Sequence, residues 1–171
     1  RSLYKRSPLY FMEIALLRID DRLIHGQVVI GWIPHLKAQA VVVACDAAAA
    51  DATQTMLMEM AMPEDVALLV LPVDDAARRL VDGGDPRRAL ALVPGPREAL
   101  RLLELGVRCA AVNVGGLHYT VGRVQLGKAI FLGDEDKQAL RGIARRGGAL
   151  EGRALPGDAA LNIAALLGDP P

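Results

Sequence analysis

Short aliphatic runs alternate with longer segments of helical period along the chain from Met12 onward. Runs without polar interruption suit strands that are buried on both faces of a sheet. Strands separated by helices are typical of βαβ units, whose strands run parallel. The pattern therefore predicts an α/β fold with a mainly parallel sheet, with strands at Glu13–Leu17, Ala40–Cys45, Ala67–Leu71, Ala89–Val93 and Arg108–Val112 and a weaker sixth at Ala149–Ala154.

The segments between these runs have the spacing and the end signals of helices. Pro63 and Gly106 follow two of them, where such residues end a helix. Asp74, Asp134 and Asp158 stand at helix starts, where a side-chain oxygen accepts hydrogen bonds from free backbone amides. The predicted helices are Gly26–Leu36, Ala48–Met60, Asp74–Val81, Pro96–Leu105, Asp134–Arg146 and Asp158–Leu167.

The composition fits one globular domain. The chain has 171 residues, of which 52% are hydrophobic and 23% charged, a balance that excludes a disordered polyelectrolyte and a fibrous repeat. Residues 1–11 mix basic residues, tyrosines and a proline, and they end just before Met12. We therefore predict a leader at residues 1–11 and a single domain at residues 12–171.

Charge and hydropathy narrow the classes of partner. Twenty basic and twenty acidic residues balance each other, so no global field attracts nucleic acid or an anionic membrane. Apolar stretches such as Val66 to Val73 are far shorter than the roughly 18 residues that a membrane-spanning helix requires. Cys45 and Cys109 each close an aliphatic run, which predicts reduced core residues.

The segment after the first predicted strand concentrates ionic chemistry. It reads RIDDRLIHGQ, Arg18 to Gln27, and ligands of parallel sheets bind outside the carboxyl ends of the strands. His25 precedes a predicted helix, whose first amides favour an anion, and Gly26 lets a ligand approach the backbone. Arg22 can hold two phosphoryl oxygens with its planar fork. The segment is thus suited to a phosphoryl group on or near His25.

The two aspartates of the segment suit a supporting role. Asp20 or Asp21 can accept hydrogen bonds from backbone amides or from an arginine and so fix the loop. Phosphoryl transfer has a loose transition state, so positive charge and amides supply most of the stabilisation, and no metal is required when the donor is another phosphohistidine. From the residues alone, a capping network around a structural histidine is an equally good interpretation.

The eleven residues RIDDRLIHGQV, Arg18 to Val28, resemble the phosphorylation loop of a known family. This is the family of IIB components of the mannose, fructose and sorbose class in the bacterial phosphoenolpyruvate-dependent sugar phosphotransferase system. The family's phosphorylated histidine corresponds to His25. The likeness continues through Trp32, the VVVACD segment that ends at Asp46, and AVNVGG at Ala111 to Gly116 followed by Gly122 and Gln125.

The resemblance implies a doubly wound, mainly parallel sheet flanked by helices, and a cytoplasmic phosphocarrier without a cofactor. A IIA phosphohistidine passes its phosphoryl group to His25, where Nδ1 carries it, and the sugar bound by the IIC and IID membrane proteins then receives it. Asp20 and Arg22 assist the transfer. The residues expected to support the phosphate or its loop are Arg18, Asp21, Gly26, Gln27, Pro72, Val73, Asp74 and Asn113.

Two of these assignments depend on other parts of the chain. In the family, the loop equivalent to Leu71–Asp74 lies beside the histidine, and Pro72 stands where similar proteins often have a hydrogen-bonding residue. The NVGG segment is predicted to end a strand, and its glycines allow a positive φ or a close backbone contact. Asn113 either braces the phosphorylation loop or only orders a turn.

The remaining candidates are given packing or surface roles. His35 and His118 lack acid or cysteine neighbours at metal-ligand spacing, so each is predicted to be a surface or packing residue. Trp32 is predicted to pack against the core. The rim around His25 is expected to use Arg18 or Arg22 in a transient docking surface.

Two other functions compete with sugar phosphotransfer. A regulatory phosphoprotein with the same fold and the same histidine would control a partner without serving transport, and the sequence does not separate it from a transport component. A nucleotide-binding or hydrolytic α/β domain is disfavoured, because neither GxGxxG nor GKT/GKS follows the first strand.

Overall fold

A seven-stranded, mainly parallel sheet forms the centre of the structure. The structure is a computed structural model and describes residues 12–168. The strands of the sheet run in the order β3-β2-β4-β1-β5-β8-β9, and β9 alone is antiparallel to its neighbour. A separate antiparallel hairpin consists of β6 and β7. The strands are β1 (Glu13–Asp20), β2 (Ala40–Ala44), β3 (Ala67–Leu71), β4 (Arg88–Val93), β5 (Ala111–Gly116), β6 (Val124–Gly127), β7 (Ile130–Leu132), β8 (Ala149–Gly152) and β9 (Leu161–Asn162).

Helices connect most of the parallel strands. The first helical segment is π-helical at Gln27–Trp32 and continues as α1 (Ile33–Leu36). The others are α2 (Asp46–Ala49), α3 (Ala52–Ala61), α4 (Val73–Val81), α5 (Pro96–Glu104), α6 (Asp134–Ala144) and α7 (Ile163–Leu167). Within residues 12–168, no helix combines the length and the apolar character that a membrane span requires.

The aliphatic strands are buried on both faces, each face covered by its own helices. Along β2, Val41 and Val43 belong to one apolar cluster, and Val42 belongs to the other. The first cluster also contains Val28, Trp32, Ile33, Ala48 and Met58, from the helical segments between β1 and β3. The second contains Ala76, Leu80, Ala99, Leu102, Leu140 and Ile143, from α4, α5 and α6. The predicted doubly wound α/β fold is confirmed.

This topology opens a crevice at the carboxyl end of β1. That strand lies between β4 and β5 and is parallel to both. The helix after β1 covers one face of the sheet, and α5, the helix after β4, covers the other. Neighbouring connections that leave on opposite faces create the position where open α/β sheets bind ligands. The segment singled out in the sequence begins at this point.

Two strands differ from the prediction in ways that affect the site. β1 continues three residues beyond Leu17, so Arg18 and Asp20 belong to a strand rather than to a loop. β5 covers Ala111–Gly116 instead of Arg108–Val112. The sequence pattern predicts a strand end at the polar Asn113 and the paired glycines, but Asn113 is buried within β5 and hydrogen-bonded there.

Helix boundaries differ because capping side chains interrupt continuous helical spacing. The predicted helix Ala48–Met60 is divided in two, since Asp51 accepts a hydrogen bond from Gln54 N (3.0 Å) and starts α3. The predicted helix Asp158–Leu167 is reduced to α7, which the side chain of Asn162 caps after the short strand β9. Pro72 and Gly133 occupy the N-cap positions of α4 and α6. The aspartates expected at those positions lie in the first turns instead.

Other expectations have mixed outcomes. The hairpin of β6 and β7 was not predicted, because two short strands with exposed Val124 and Gln125 lack an aliphatic run. Cys45 and Cys109 are free thiols, as predicted, and burial raises the pKa of Cys109. The predicted leader, residues 1–11, lies outside the described residues, as do residues 169–171.

One buried carboxylate anchors the connection before β4, far from the carboxyl end of β1. Asp85 Oδ2 accepts hydrogen bonds from Arg79 (2.6 Å) and Arg87 (2.7 Å). The hydrogen bond to Arg87 holds the pKa of Asp85 well below its usual range. Asp85 therefore fixes the chain between α4 and β4 as an ionised group.

Candidate active site

A buried carboxylate orients the ring of His25. Asp20 is the last residue of β1 and is fully buried, and its Oδ2 lies 2.8 Å from His25 Nε2. Burial alone would raise the pKa of Asp20, but the hydrogen bond from His25 and the charge of Arg18 outweigh it, so the pKa lies below its usual value of 3.8. An ionised carboxylate can only accept, so Nε2 carries a hydrogen, and in the neutral ring Nδ1 keeps its lone pair.

The carboxylate of Asp20 is itself held by a buried arginine. Arg18 Nη2 donates to Asp20 Oδ2 (2.9 Å), and Arg18 Nη1 donates to Asn113 Oδ1 (2.6 Å). The same guanidinium donates to the carbonyls of Arg153 (3.0 Å) and Ala154 (3.1 Å). Burial lowers the pKa of Arg18, and the charge of Asp20 opposes this. Four hydrogen-bond acceptors thus stabilise the positive charge of the Arg18 guanidinium, which has no contact with solvent.

Two sequence expectations are decided by this arrangement. Arg18 has no exposed surface, so of the two arginines expected at the docking rim, Arg22 is the one that can take part. Arg18 acts on Asp20 and cannot reach a phosphate at the surface. Asn113 braces the site through Arg18, which favours the first of its two interpretations.

The indole ring of Trp32 packs against the guanidinium of Arg18. The ring lies 5.1 Å from the Arg18 guanidinium carbon, and its Nε1 donates to the carbonyl of Ala154 at 2.8 Å. The ring is almost fully buried. The predicted packing role is confirmed, and the cation–π contact adds to the support of the buried charge.

Gly115 is required by the position of Arg18. A Cβ atom at residue 115 would lie 2.0 Å from the guanidinium carbon of Arg18, closer than any non-bonded contact. Neither Gly115 nor Gly116 has a positive φ, so close approach, and not turn geometry, explains the glycine. Of the two roles considered for the glycines of NVGG, a positive φ and a close contact with the backbone, the structure therefore favours the close contact.

Gly115→Ala is expected to destabilise the protein by about 1–3 kcal/mol, the usual cost of overpacking a core. Urea unfolding measures this effect. Gly26→Ala is the matched control, because a Cβ at residue 26 meets no atom within 4 Å and its φ of −51° is ordinary for alanine. Equal stability of the two variants would contradict the role given to Gly115.

A turn links Asp20 to His25. Asp20 accepts two backbone hydrogen bonds, at Oδ1 from Arg22 N (3.1 Å) and at its carbonyl from Leu23 N (3.0 Å). Leu23 has a φ of 56° and a buried side chain. Burial of this leucine offsets the cost of its left-handed conformation. The segment is therefore fixed by its own backbone at Asp20 and by the core at Leu23.

Arg22 is the cation of this turn that reaches the surface. Its side chain is 40% exposed, with Nε 3.5 Å from Asp20 Oδ1. Its Nη2 donates to Gln27 Oε1 at 2.9 Å. An exposed guanidinium tethered beside His25 can turn toward an arriving anion at small cost.

The helix after His25 begins without a side-chain cap. The backbone amides of Val28 and Val29 both donate to the carbonyl of His25, each at 3.0 Å. The surface above Gly26 is open, since no atom lies within 4 Å of where its Cβ would stand. A group bound to His25 therefore meets unobstructed backbone at Gly26 and the positive end of the helical segment.

Comparison with known proteins assigns the family. The sequence model of the PTS system sorbose subfamily IIB component matches residues 14–170. This chain belongs to that family. The sorbose-specific EIIB component of Klebsiella pneumoniae is 32% identical over 153 residues, which is 89% of this chain and 93% of that protein. The fructose-specific EIIB component of Bacillus subtilis is 32% identical over 160 residues, 91% of this chain and 96% of that protein.

A solved structure and a longer relative extend the comparison. The crystal structure of the IIBSor domain of the sorbose permease from Klebsiella pneumoniae matches with a TM-score of 0.85 and 31% identity, and the match covers 91% of this chain and 96% of that one. The mannose-specific EIIAB component of Escherichia coli is 33% identical over 164 residues. The match covers 94% of this chain and 50% of that relative, so this chain spans about half of the relative's length.

Among residues 12–168, the loop after β3 makes no hydrogen bond to His25. β2 and β4 lie between β3 and β1, and three steps of about 4.8 Å across a sheet span roughly 14 Å. Val73 N donates to Asp46 Oδ1 (2.8 Å), and Asp74 forms a paired salt bridge with Arg101. Pro72 caps α4 without a side-chain hydrogen bond. These residues lie at the same edge of the sheet as His25, but two strands separate β3 from β1, so their role beside the phosphate stays a prediction.

Sequence reasoning missed two parts of the site. His118, expected to have a surface or packing role, contacts Asp21 through its ring and its backbone. The carbonyls of Arg153 and Ala154, directly after β8, complete the surroundings of Arg18. No local signal identifies either feature, because the partners are 97 and about 135 positions apart in the chain.

Proposed function

We propose that this IIB chain, acting in the cytoplasm, accepts a phosphoryl group on Nδ1 of His25 from a IIA phosphohistidine and passes it to a sugar bound by a IIC/IID permease. The observation that carries the proposal is the hydrogen bond between His25 Nε2 and Asp20. When the ring is neutral, this hydrogen bond leaves the lone pair on Nδ1, in a ring that is 15% exposed.

The transfer follows from this tautomer. As the lone pair of His25 Nδ1 forms a bond to phosphorus, the bond between phosphorus and the donor nitrogen breaks, and the donor ring recovers its lone pair. The His25 ring becomes cationic while phosphorylated, and the buried carboxylate of Asp20 stabilises that charge. In the second step a sugar hydroxyl attacks phosphorus and gives its proton to solvent. The bond between phosphorus and Nδ1 breaks, and its electron pair returns to the ring, which leaves His25 neutral.

The family favours transport over regulation. The relatives named above are IIB or EIIAB components specific for sorbose, fructose and mannose, and none of their descriptions names a regulatory protein. Sugar selectivity belongs to the permease that binds the sugar, so the proposal leaves the sugar open within this class. The IIA and IIC/IID partners follow from the proposed role of the chain.

The direct test is transfer of phosphate from phosphoenolpyruvate through the general phosphotransferase proteins and a cognate IIA. Intact mass should show one added phosphate, and site mapping should place an acid-labile phosphate on His25. An active IIA that leaves the chain unlabelled, or a label on His35 or His118, would refute the proposal.

Arg22→Ala is expected to slow phosphorylation of His25 by roughly tenfold to a hundredfold, because an exposed donor to the phosphoryl oxygens is lost. Single-turnover quench-flow with phosphorylated IIA measures this rate. Arg22→Lys should recover only part of it, since lysine lacks the planar fork. Arg78→Ala, which removes an exposed arginine from α4, is the control, and an equal effect of the two alanine variants would remove Arg22 from the mechanism.

A further inference from the structure

We propose that His118 is a positioning residue for phosphoryl transfer, holding Asp21 so that the adjacent Asp20 stays aimed at His25. The inference rests on the proposed function of His25. Backbone N and ring Nδ1 of His118 lie 2.7 Å and 2.5 Å from the two carboxylate oxygens of Asp21. Both donors act on one carboxylate, so neither its position nor its rotation is free.

The grip on Asp21 is transmitted to Asp20 through the backbone. Asp21 N donates to the carbonyl of Gly116 at 3.0 Å, so both the backbone and the side chain of Asp21 are tied to the segment that ends β5. Asp20 directly precedes it and places Oδ2 against His25 Nε2. A shift at residue 21 would therefore move the carboxylate that sets the tautomer of His25.

His118 is itself held in place from behind. Its carbonyl accepts from Arg123 Nη1 at 2.9 Å, and Arg123 Nε lies 3.3 Å from Asp136 Oδ2. Asp136 also accepts from Gly133 N (2.9 Å) at the start of α6. The carbonyl of His118 is thus linked, through Arg123 and Asp136, to the start of α6. These contacts make the segment after β5 a rigid part of the site.

The imidazole of His118 is 53% exposed, so the test must separate positioning from docking of the donor. His118→Ala should lower the single-turnover rate at saturating phosphorylated IIA by roughly tenfold, because a displacement below 1 Å is enough for such a loss. The concentration of IIA that gives half the maximal rate should stay within about twofold of wild type. His118→Asn, whose amide nitrogen can stand where Nδ1 stands, should restore the rate.

A second measurement needs no partner protein. The ¹⁵N chemical shifts of the His25 ring should report hydrogen on Nε2 in the wild type and in His118→Asn, and a mixed or exchange-broadened tautomer in His118→Ala. Thermal unfolding of all three proteins checks that the fold is intact.

The outcomes distinguish this inference from the proposed function. A wild-type chain that takes no phosphate on His25 would overturn the proposed function. The ¹⁵N chemical shifts of the His25 ring would still test whether the contacts of His118 with Asp21 set the tautomer of that ring. Wild-type rate and wild-type ring shifts in His118→Ala would overturn the positioning role alone. A weakened half-saturation with an unchanged maximal rate would also overturn it, because His118 would then contact the donor.

Discussion

His25→Ala is expected to abolish phosphorylation of the chain while leaving its fold intact. The proposed phosphoryl bond forms at Nδ1 of this ring, and alanine offers no nucleophile. The side chain contributes one hydrogen bond, to Asp20, and belongs to neither apolar cluster. Label transfer from phosphorylated IIA, followed by intact mass, measures the loss, and urea unfolding measures the stability.

His35→Ala is the matched control for this variant. His35 is exposed on α1 and packs its ring edge against Trp32 at a centroid distance of 6.0 Å. Its removal should leave labelling at one phosphate per chain. A His25→Ala protein that still takes up stoichiometric phosphate would transfer the acceptor role to another residue, and site mapping would identify it.

Asp20→Asn is expected to slow phosphorylation of His25 by up to about ten-thousandfold, because this aspartate sets the tautomer of the reacting histidine. The amide of asparagine can rotate to donate to Nε2, which moves the ring hydrogen to Nδ1 and blocks the lone pair. Loss of the negative charge also removes the stabilisation of the cationic phosphorylated ring. Single-turnover rates with folded protein test both consequences.

The same substitution should cost about 3–5 kcal/mol of unfolding free energy, because the buried charge of Arg18 loses its carboxylate partner. The pKa of Asp20 is lower in the folded protein than its usual value of 3.8. A depressed pKa contributes stability that is present above that usual value and is lost as the pH falls through the folded value. The stability difference between wild type and Asp20→Asn should therefore be constant near neutral pH and shrink below about pH 4.

Asp85→Asn separates the effect on the reaction from the effect on stability. This carboxylate is also buried, is paired with two arginines, and has a lowered pKa, but it lies in the connection before β4. We expect a comparable loss of stability with an unchanged labelling rate for the folded fraction. A rate loss equal to that of Asp20→Asn would indicate that instability alone slows the transfer.

The sequence predicted the sheet well because buried parallel strands are long aliphatic runs. β2 and β3 match their predicted ranges to within one residue, and the segment that begins at Arg18 lies at the carboxyl end of β1, which includes Arg18 and Asp20. The boundaries that failed are those at which one side chain decides. Asp51 and Asn162 cap helices that the pattern alone would continue toward their N-termini.

The site was predicted by composition but not by arrangement. Arg18 and Arg22 are both arginines in one short segment, and only the structure shows that the first is buried and the second exposed. The end of β1 explains the difference: Arg18 lies within the strand, on the same face as Asp20, whereas Arg22 lies in the turn that follows the strand. His118 could not be predicted, since its partner Asp21 is reached only through the folding of β5 beside β1.

The carbonyls that receive Arg18 give the site an order of assembly. They belong to Arg153 and Ala154, so the guanidinium has no complete set of acceptors until the part of the chain after β8 has been synthesised and folded. A ribosome-bound chain that ends before this point already contains His25, Asp20 and Arg22. It lacks the groups that balance the buried charge behind Asp20. The arrangement that orients His25 is therefore completed only after residues 153 and 154 have been synthesised and have folded against Arg18.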